Sequence, residues 1–482
     1  MKVVTFLITI IFVLNFILAI IVVFLERKDP SSTWAWLLVL FFIPLLGFIL
    51  YLTLGQNLRR KKLFIWDDLK KIGFEDMIQE QTALLKDGKL PLTTQSARAH
   101  QDLIYLFLKS NKALLTQDNR IKIFTDGKEK FEALFRDIEQ ARDHIHLQYY
   151  IFRDDDLGMQ LIELLAKKAR EGVKVRVLYD EMGSRRIKKR SFNRLKEAGG
   201  EVEVFFPSRI PFVNLRINFR NHRKIVVIDG KIAYVGGFNV GNEYLGLNRK
   251  FGYWRDTHLR IEGGAVHAAQ IRFILDWNQA SSRYDIYYHK RYFPSIRNDG
   301  TIPLQLVTSG PDSEWEQIKN GYIKMIMSAK RLILIQTPYF IPDATILDAL
   351  RIAALSGVDV RIMIPNKPDH PFVYWATLSY IGELLKVGVK VFIYENGFVH
   401  AKMIVVDDET ASIGTANIDV RSFRLNFEIN AFLYHRETAE ELHRVFEKDV
   451  ERSTRLTLEK YNTRSLVVRF KESISRLLSP IL

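Results

Sequence analysis

One pattern of reactive residues occurs twice in this chain, 178 residues apart: His222-x-Lys224-x4-Asp229 and His400-x-Lys402-x4-Asp407. Seven residues after each aspartate comes a second shared element, Gly236-Gly237-Phe238-Asn239 and Gly414-Thr415-Ala416-Asn417. The segments leading to each motif also run in parallel. A periodic helix (about 128–141) precedes the apolar run 144–152, a helix to about Arg170 and the run 172–180. In the second half a helix ending near Ala329 precedes the runs 332–340 and 357–364, with a helix between them. Gln148 and Gln336 hold equivalent places, as do Gly172 and Gly357. Strands alternating with helices of 10–15 residues predict mixed α/β layers with crossover connections. A duplicated α/β unit can pack about a pseudo-two-fold axis, which would bring both histidines to one cleft.

Two histidines and two lysines suit phosphoryl transfer. Imidazole Nε2 is a competent nucleophile toward phosphorus and a good leaving group. A second imidazole can protonate a departing alkoxide and then deprotonate an incoming hydroxyl. Residues two apart on a strand face the same way, so Lys224 and Lys402 are expected beside their histidines, stabilising charge on the phosphate oxygens. Gly236 and Gly414 would let backbone approach that oxyanion, and Asn239 and Asn417 can donate to it. Asp256, 34 residues after His222, and Glu428, 28 after His400, are candidates to hold a histidine Nδ1 and leave Nε2 free. Asp229 and Asp407 are candidate site residues that could instead hold the turn after the lysine-bearing strand.

The N-terminus constrains location. Residues 3–25 are apolar except Thr5, Thr9 and Asn15, a stretch of roughly 34 Å as a helix, enough to cross a bilayer. A second apolar run covers 34–54, with Pro44 and Gly47 inside it and Trp34 and Trp36 at its edge. Together they predict a transmembrane helical hairpin. Arg59, Arg60, Lys61 and Lys62 follow it with no acid among them, which predicts a multi-pass protein of the cell membrane with its large part in the cytoplasm. The expected partition is hairpin 1–58, helical linker 59–120 with a flexible stretch near Pro91, first domain 121–298 and second domain 299–482, ending in a tail whose apolar and basic residues suit a helix on the domain or the membrane surface.

Composition narrows the chemistry. The 482 residues contain no cysteine, which excludes disulfides and thiolate sites. The histidines show no His-Glu-x-x-His spacing and each sits beside a lysine, so no metal is expected. No glycine-rich nucleotide loop of the Walker type is present, and no cofactor is expected. A net charge of +15 favours anionic partners, nucleic acid or an anionic membrane. The hairpin favours the membrane.

The paired motifs with their Gly-x-x-Asn tails resemble the phospholipase D superfamily, and specifically its bacterial cardiolipin synthases. Tyr253-Trp254-Arg255-Asp256, Thr308-Ser309-Gly310-Pro311 and the segment Arg421 to Glu428 are similar to synthase segments. The serine common after the motif glycine is replaced by Gly237 and Thr415. The resemblance implies two duplicated phospholipase D-like α-β-α sandwich domains around a shared cleft. It also implies phosphatidyl transfer between two phosphatidylglycerol molecules through a phosphatidyl-histidine, giving cardiolipin and glycerol, with His222 as nucleophile and His400 as acid and base. Anionic phospholipids and the bilayer are then the partners, nucleic acid is not, and no oligomeric state is implied. Other readings stay open: a membrane-bound phospholipase D hydrolase, a transferase using another donor lipid such as phosphatidylethanolamine, a nuclease, or a non-catalytic membrane scaffold.

Overall fold

The computed structural model describes residues 2–25, 30–55, 58, 63–64, 67–208, 216, 218–281, 283–296, 299–367 and 369–479. Among them no single helix is long and apolar enough to cross a membrane. The first apolar run is an α-helix, Lys2–Ile20, continued by a π-helical turn, Ile21–Leu25. The second is divided into Pro30–Phe42 and Pro44–Leu54. Pro44 causes that division: it has no N–H to donate to the carbonyl four residues back, at Leu40. Asn15 on the first helix supplies the missing donor. Its amide donates to the Leu40 carbonyl at 3.1 Å and the Pro44 carbonyl at 2.9 Å, tying the helices together. The loop acids and bases at 26–29 and the basic flank Arg59–Lys62 lie outside the described residues.

Two large sheets and one two-stranded pair carry the rest. The strands of the first half are β1 (Thr116–Asp126), β2 (His144–Tyr149), β3 (Lys174–Asp180), β4 (Glu201–Phe205), β5 (Arg220–Asn221), β6 (Ile225–Ile228), β7 (Ile232–Gly236) and β8 (Trp254–Glu262). Those of the second are β9 (Ile302–Ser309), β10 (Leu332–Gln336), β11 (Phe340–Ile341), β12 (Asp359–Pro365), β13 (Lys390–Tyr394), β14 (Phe398–Val399), β15 (Met403–Val406), β16 (Thr410–Gly414), β17 (Ile418–Asp419), β18 (Asn426–Leu433) and β19 (Ser453–Leu456). The first sheet runs β4-β3-β2-β6-β7-β8-β1 and the second β19-β13-β12-β10-β15-β16-β18-β9. Strands β2, β3 and β4 are parallel, as are β10, β12 and β13, so the duplication extends to strand order and direction. Gly172 and Gly357 each take φ +91° at the end of the helix before a parallel strand, a left-handed turn that explains why both halves place glycine there.

The central strands are apolar on both faces. On β6, Val226 and Ile228 pack on one face against first-half helices, while Ile225 and Val227 lie on the other, in a core shared with the helix Ala265–Ala280 and the second half. On β15, Ile404 and Val406 face second-half helices on one side, while Met403 and Val405 join the same shared core beside the helix Arg436–Val450. Alternation with both faces buried accounts for runs read in sequence as uninterrupted hydrophobic strands. The centre of the molecule is therefore one core shared by both sheets, with the helices Ala265–Ala280 and Arg436–Val450 set into it, and the motif strands border it.

The segment expected as a linker is built into the second half. Helices Phe74–Lys86 and Gln101–Asn111 place Ile78, Leu85, Leu103 and Phe107 in one core with Val307, Ile318 and Tyr322. The stretch after Pro91, expected to be flexible, is fixed by Thr94, which caps a short helix by accepting from the Ala97 N–H at 3.1 Å and donates to the Tyr434 carbonyl at 2.7 Å. Strand β1 begins at Thr116, ahead of the expected boundary at 121, and pairs with both β8 and β9.

Candidate active site

Each histidine directly follows a two-residue strand, β5 or β14, and these strands cross between halves. β5 lies parallel to the start of β18, and β14 lies parallel to the start of β8. The His222 N–H donates to the Phe427 carbonyl at 2.9 Å, and the His400 N–H donates to the Arg255 carbonyl at 2.7 Å. The next residue along each partner strand is the carboxylate, so each histidine meets the acid of the other half. His222 Nδ1 is 2.9 Å from Glu428 Oε2, and His400 Nδ1 is 2.6 Å from Asp256 Oδ2. Both carboxylates thereby engage Nδ1 rather than Nε2. His222 and His400 line one cleft of about 470 Å³, along with Asn239, Asn417, Tyr150 and Trp254.

The His-x-Lys segments were expected within strands. They instead form the links between β5 and β6 and between β14 and β15, because each motif leaves one sheet partner for another at that point. The lysines still lie beside their histidines. Lys224 Nζ donates to the His222 carbonyl at 2.6 Å, while Lys402 Nζ donates to the His400 carbonyl at 2.5 Å and lies within 2.9 Å of both ring nitrogens.

Charge in this buried site is finely balanced. Burial is the largest influence on both histidines and pulls each down to about 4, with the neighbouring lysines adding to the depression and the carboxylates opposing it. Burial alone would push the carboxyls of Asp256 and Glu428 up. The lysines and histidines against them hold both below the ordinary carboxylate range. Burial also brings Lys402 down to about 8 and lowers Lys224. The resting site therefore holds neutral imidazoles on ionised carboxylates, and an arriving anion would favour uptake of a proton beside it.

This balance predicts a pH effect. A histidine whose folded pKa is depressed contributes stability that is present above its unfolded value near 6.5 and lost as pH falls toward 4, on the order of 3 kcal/mol for each. Asp180 and Asp419, pushed up to about 6 by burial, act in the opposite direction over the same interval and mask the effect in the wild type. The difference between wild type and His400→Gln is the informative quantity. It should shift in favour of the variant by on the order of 3 kcal/mol between pH 7 and pH 4, measured by denaturant unfolding. A difference independent of pH would refute the assigned depression.

The glycines act through space rather than backbone angle. A Cβ on Gly237 would sit 1.8 Å from Asp256 Oδ1, and one on Gly414 would sit 2.3 Å from the Asn430 side chain. A Cβ on Gly236 would meet His258 Cα at 2.4 Å. In the second half the longer glutamate is joined by Thr415, whose hydroxyl donates to Glu428 Oε2 at 2.5 Å. Gly237 with Asp256 and Thr415 with Glu428 are thus two solutions to seating a carboxylate against an imidazole. Asn239 accepts from the Ile151 N–H at 3.0 Å and donates to the Tyr244 hydroxyl at 3.3 Å. The Asn417 N–H donates to Ser422 at 3.2 Å.

Asp229 and Asp407 are not brought to the cleft, which corrects their place among the candidate catalytic residues. Each follows a four-residue strand that separates it from its lysine, roughly 13 Å of chain. Each takes a left-handed turn, φ +53° and +54°. Asp229 accepts from the N–H groups of Arg142, Asp143 and His144 at 2.8–3.0 Å, and Asp407 from those of Lys330, Arg331 and Leu332 at 2.7–2.8 Å. They pin the entry to β2 and β10. Asp407→Ala should cost about 3 kcal/mol of stability through three lost charge-assisted bonds, while turnover per folded molecule stays within about twofold. A loss of turnover at full stability would return Asp407 to the chemistry.

A supporting network behind the motifs was not read from the sequence. Gln148 donates to Asp276 at 2.7 Å, and Gln336 to Asp449 at 2.8 Å. Arg223 pairs with Asp276 at 2.7 Å and Arg255 with Asp449 at 2.8 Å, all buried. The matching positions of the two glutamines were the available signal. Their aspartate partners lie on helices Ala265–Ala280 and Arg436–Val450, too far along the chain to associate with them by spacing.

Comparison with known proteins accords with this geometry. Residues 134–255 and 322–450 match the family described as cardiolipin synthase, PLD-like domain, and residues 13–56 match the phospholipase D-nuclease N-terminal family. The chain is 62% identical over 482 residues, the whole of both chains, to the major cardiolipin synthase ClsA of Bacillus subtilis. It is 59% identical over 471 residues, 98% of each, to the cardiolipin synthase of Oceanobacillus iheyensis. Among solved structures, the phosphatidylserine synthase of Haemophilus influenzae shares the fold with a TM-score of 0.60 at 16% identity, covering 81% of this chain and all of that one. The duplicated halves, the crossed histidine–carboxylate pairs and full-length relatives of this similarity lead to one conclusion: the chain belongs to the cardiolipin synthase family of phospholipase D-like phosphatidyltransferases.

Proposed function

We propose that the chain joins two phosphatidylglycerol molecules into cardiolipin, with His222 as nucleophile and His400 as acid and base. His222 Nε2 attacks the donor phosphorus, and the bond from phosphorus to the headgroup glycerol oxygen breaks. His400, protonated as the phosphodiester anion enters, gives its proton to that oxygen, and glycerol leaves. A headgroup hydroxyl of the second phosphatidylglycerol then attacks the phosphatidyl-histidine. Neutral His400 takes its proton, the N–P bond breaks, and cardiolipin leaves with both histidines as they began. Lys224, Lys402, Asn239 and Asn417 stabilise the phosphate oxygens, and a shielded cleft favours the lipid hydroxyl over water.

The observation that carries this reading is the pair of imidazoles on one cleft, each with Nδ1 held by a carboxylate of the other half and a lysine beside it. The same reading places the N-terminal helices in the cell membrane as a hairpin, with the catalytic part on the cytoplasmic side, since donor and acceptor are both confined to the bilayer. The full-length protein in mixed micelles of phosphatidylglycerol, without added metal, should give cardiolipin and equimolar glycerol. Phosphatidic acid alone would identify a hydrolase. No turnover until phosphatidylethanolamine is supplied would identify another donor, and binding without turnover of any lipid would identify a scaffold.

A further inference from the structure

Helices on a globular surface ordinarily turn their apolar side inward. The C-terminal helix Leu466–Leu477 does the reverse. Its buried positions are Glu472 and Ser475, 3% and 1% exposed, whereas Leu466, Val467, Phe470, Ile474 and Leu477 are 80, 62, 67, 39 and 77% exposed. At 3.6 residues per turn these five side chains form one continuous stripe directed away from the protein. Polar contacts fix that orientation. Glu472 accepts from Arg464 Nε at 2.9 Å and from the Tyr461 hydroxyl at 3.2 Å. Arg476 pairs with Glu383 and lies 4.6 Å from the Tyr380 ring, and Lys471 lies 5.2 Å from the Trp375 ring. The helix is thus held on the helix Pro371–Leu385, polar side down.

Two further features say what covers the stripe. Arg469, Lys471 and Arg476 flank it, the arrangement of a helix lying in the headgroup plane of an anionic bilayer. The supporting helix Pro371–Leu385 also begins at the active cleft, where Pro371, Phe372 and Val373 form part of the wall and Phe372 is 54% exposed. The apolar stripe is therefore linked, through the helix Pro371–Leu385, to the wall of the cleft.

We propose that Leu466–Leu477 is an interfacial helix that seats on a phospholipid surface containing anionic lipid and, together with Phe372, sets the mouth of the cleft against the bilayer. The proposal rests on the lipid-substrate reading above, and its test is independent of turnover. Because the chain lacks cysteine, Phe470→Cys can carry one environment-sensitive fluorophore in the full-length protein, reconstituted in phosphatidylglycerol–phosphatidylcholine vesicles with spin-labelled lipid. The expected result is quenching at least about threefold stronger than for the same label at Glu139→Cys, an exposed position at the end of helix Gly127–Glu139 away from the cleft. In the same vesicles, Phe470→Glu with Leu477→Glu should lower initial rates about tenfold, while rates on short-chain phosphatidylglycerol below its micelle concentration stay within about twofold. No lipid quenching at 470 would overturn the proposal. So would shielding at 470 that lacks lipid quenching and disappears on dilution, which would assign the stripe to a second copy of the chain. Equal losses on both substrates would place the two side chains in the protein's own fold and also overturn it. Wild-type turnover, read separately, reports on the lipid-transfer reading.

Discussion

His222→Ala is expected to abolish transfer from every phosphatidyl donor, by about four orders of magnitude or more, whereas the defect of His400→Ala is expected to depend on the leaving group. Without its nucleophile the site cannot form the phosphorus–nitrogen bond, however good the donor. Without His400 the bond can still form if the departing oxygen needs no proton. A phosphatidyl donor with a p-nitrophenyl headgroup meets that condition. With it, His400→Ala should release one equivalent of nitrophenolate per enzyme at a rate within about tenfold of wild type and then stall, because nothing deprotonates the acceptor. The stalled protein should carry the phosphatidyl group on His222, through a phosphorus–nitrogen bond that is stable to base and labile to acid. With phosphatidylglycerol itself both variants should be inert. A burst from His222→Ala and none from His400→Ala would exchange the two roles. Equal residual rates in both would argue against a covalent intermediate.

The sequence disclosed the components of the site better than their connections. Repetition of His-x-Lys with its Gly-x-x-Asn tail was enough to expect a single cleft, since one copy can be structural and two in matching context require symmetry. Asp256 and Glu428 were legible as acids at comparable distances downstream. Their exchange between halves was not, because it depends on β5 pairing with β18 and β14 with β8, and two-residue strands leave no hydrophobic period to read. Motif membership did not distinguish Asp229 and Asp407 from the lysines. Counting strand length from Lys224 would have done so, since β6 carries the chain away from the cleft before Asp229 is reached. Helices Phe74–Lys86 and Gln101–Asn111 looked connective because their apolar faces are short. Their partners, such as Val307 and Phe432, lie some two hundred residues or more away in the chain, and local pattern cannot supply such pairings.

Exchange of the carboxylates makes the second large effect a test of topology as well as chemistry. Glu428→Gln should reproduce the His222 phenotype and Asp256→Asn the His400 phenotype, each weakened to a loss of about 10²–10³-fold with phosphatidylglycerol. The amide keeps shape and some hydrogen bonding but no longer balances positive charge on the imidazole. Glu428 holds His222 from β18, with Thr415 on the same oxygen at 2.5 Å. Its loss weakens the nucleophile, so a p-nitrophenyl donor should bring no rescue. Asp256 holds His400 from β8, and its loss weakens only proton transfer, so the same donor should restore the first step to within about tenfold of wild type. Pairing within each half would give the opposite assignment, with Asp256→Asn refractory and Glu428→Gln rescued. The double variants sharpen the point. Acids that act through their histidines should add little to the corresponding His→Ala variants, His222→Ala with Glu428→Gln and His400→Ala with Asp256→Asn. Multiplicative losses there would mean the acids act on the lipid rather than on the imidazoles they touch. Stability separates these cases from misfolding: each amide variant leaves a buried lysine with one fewer negative neighbour, Lys224 for Glu428 and Lys402 for Asp256, so folding should suffer in both while only one recovers turnover with the activated donor.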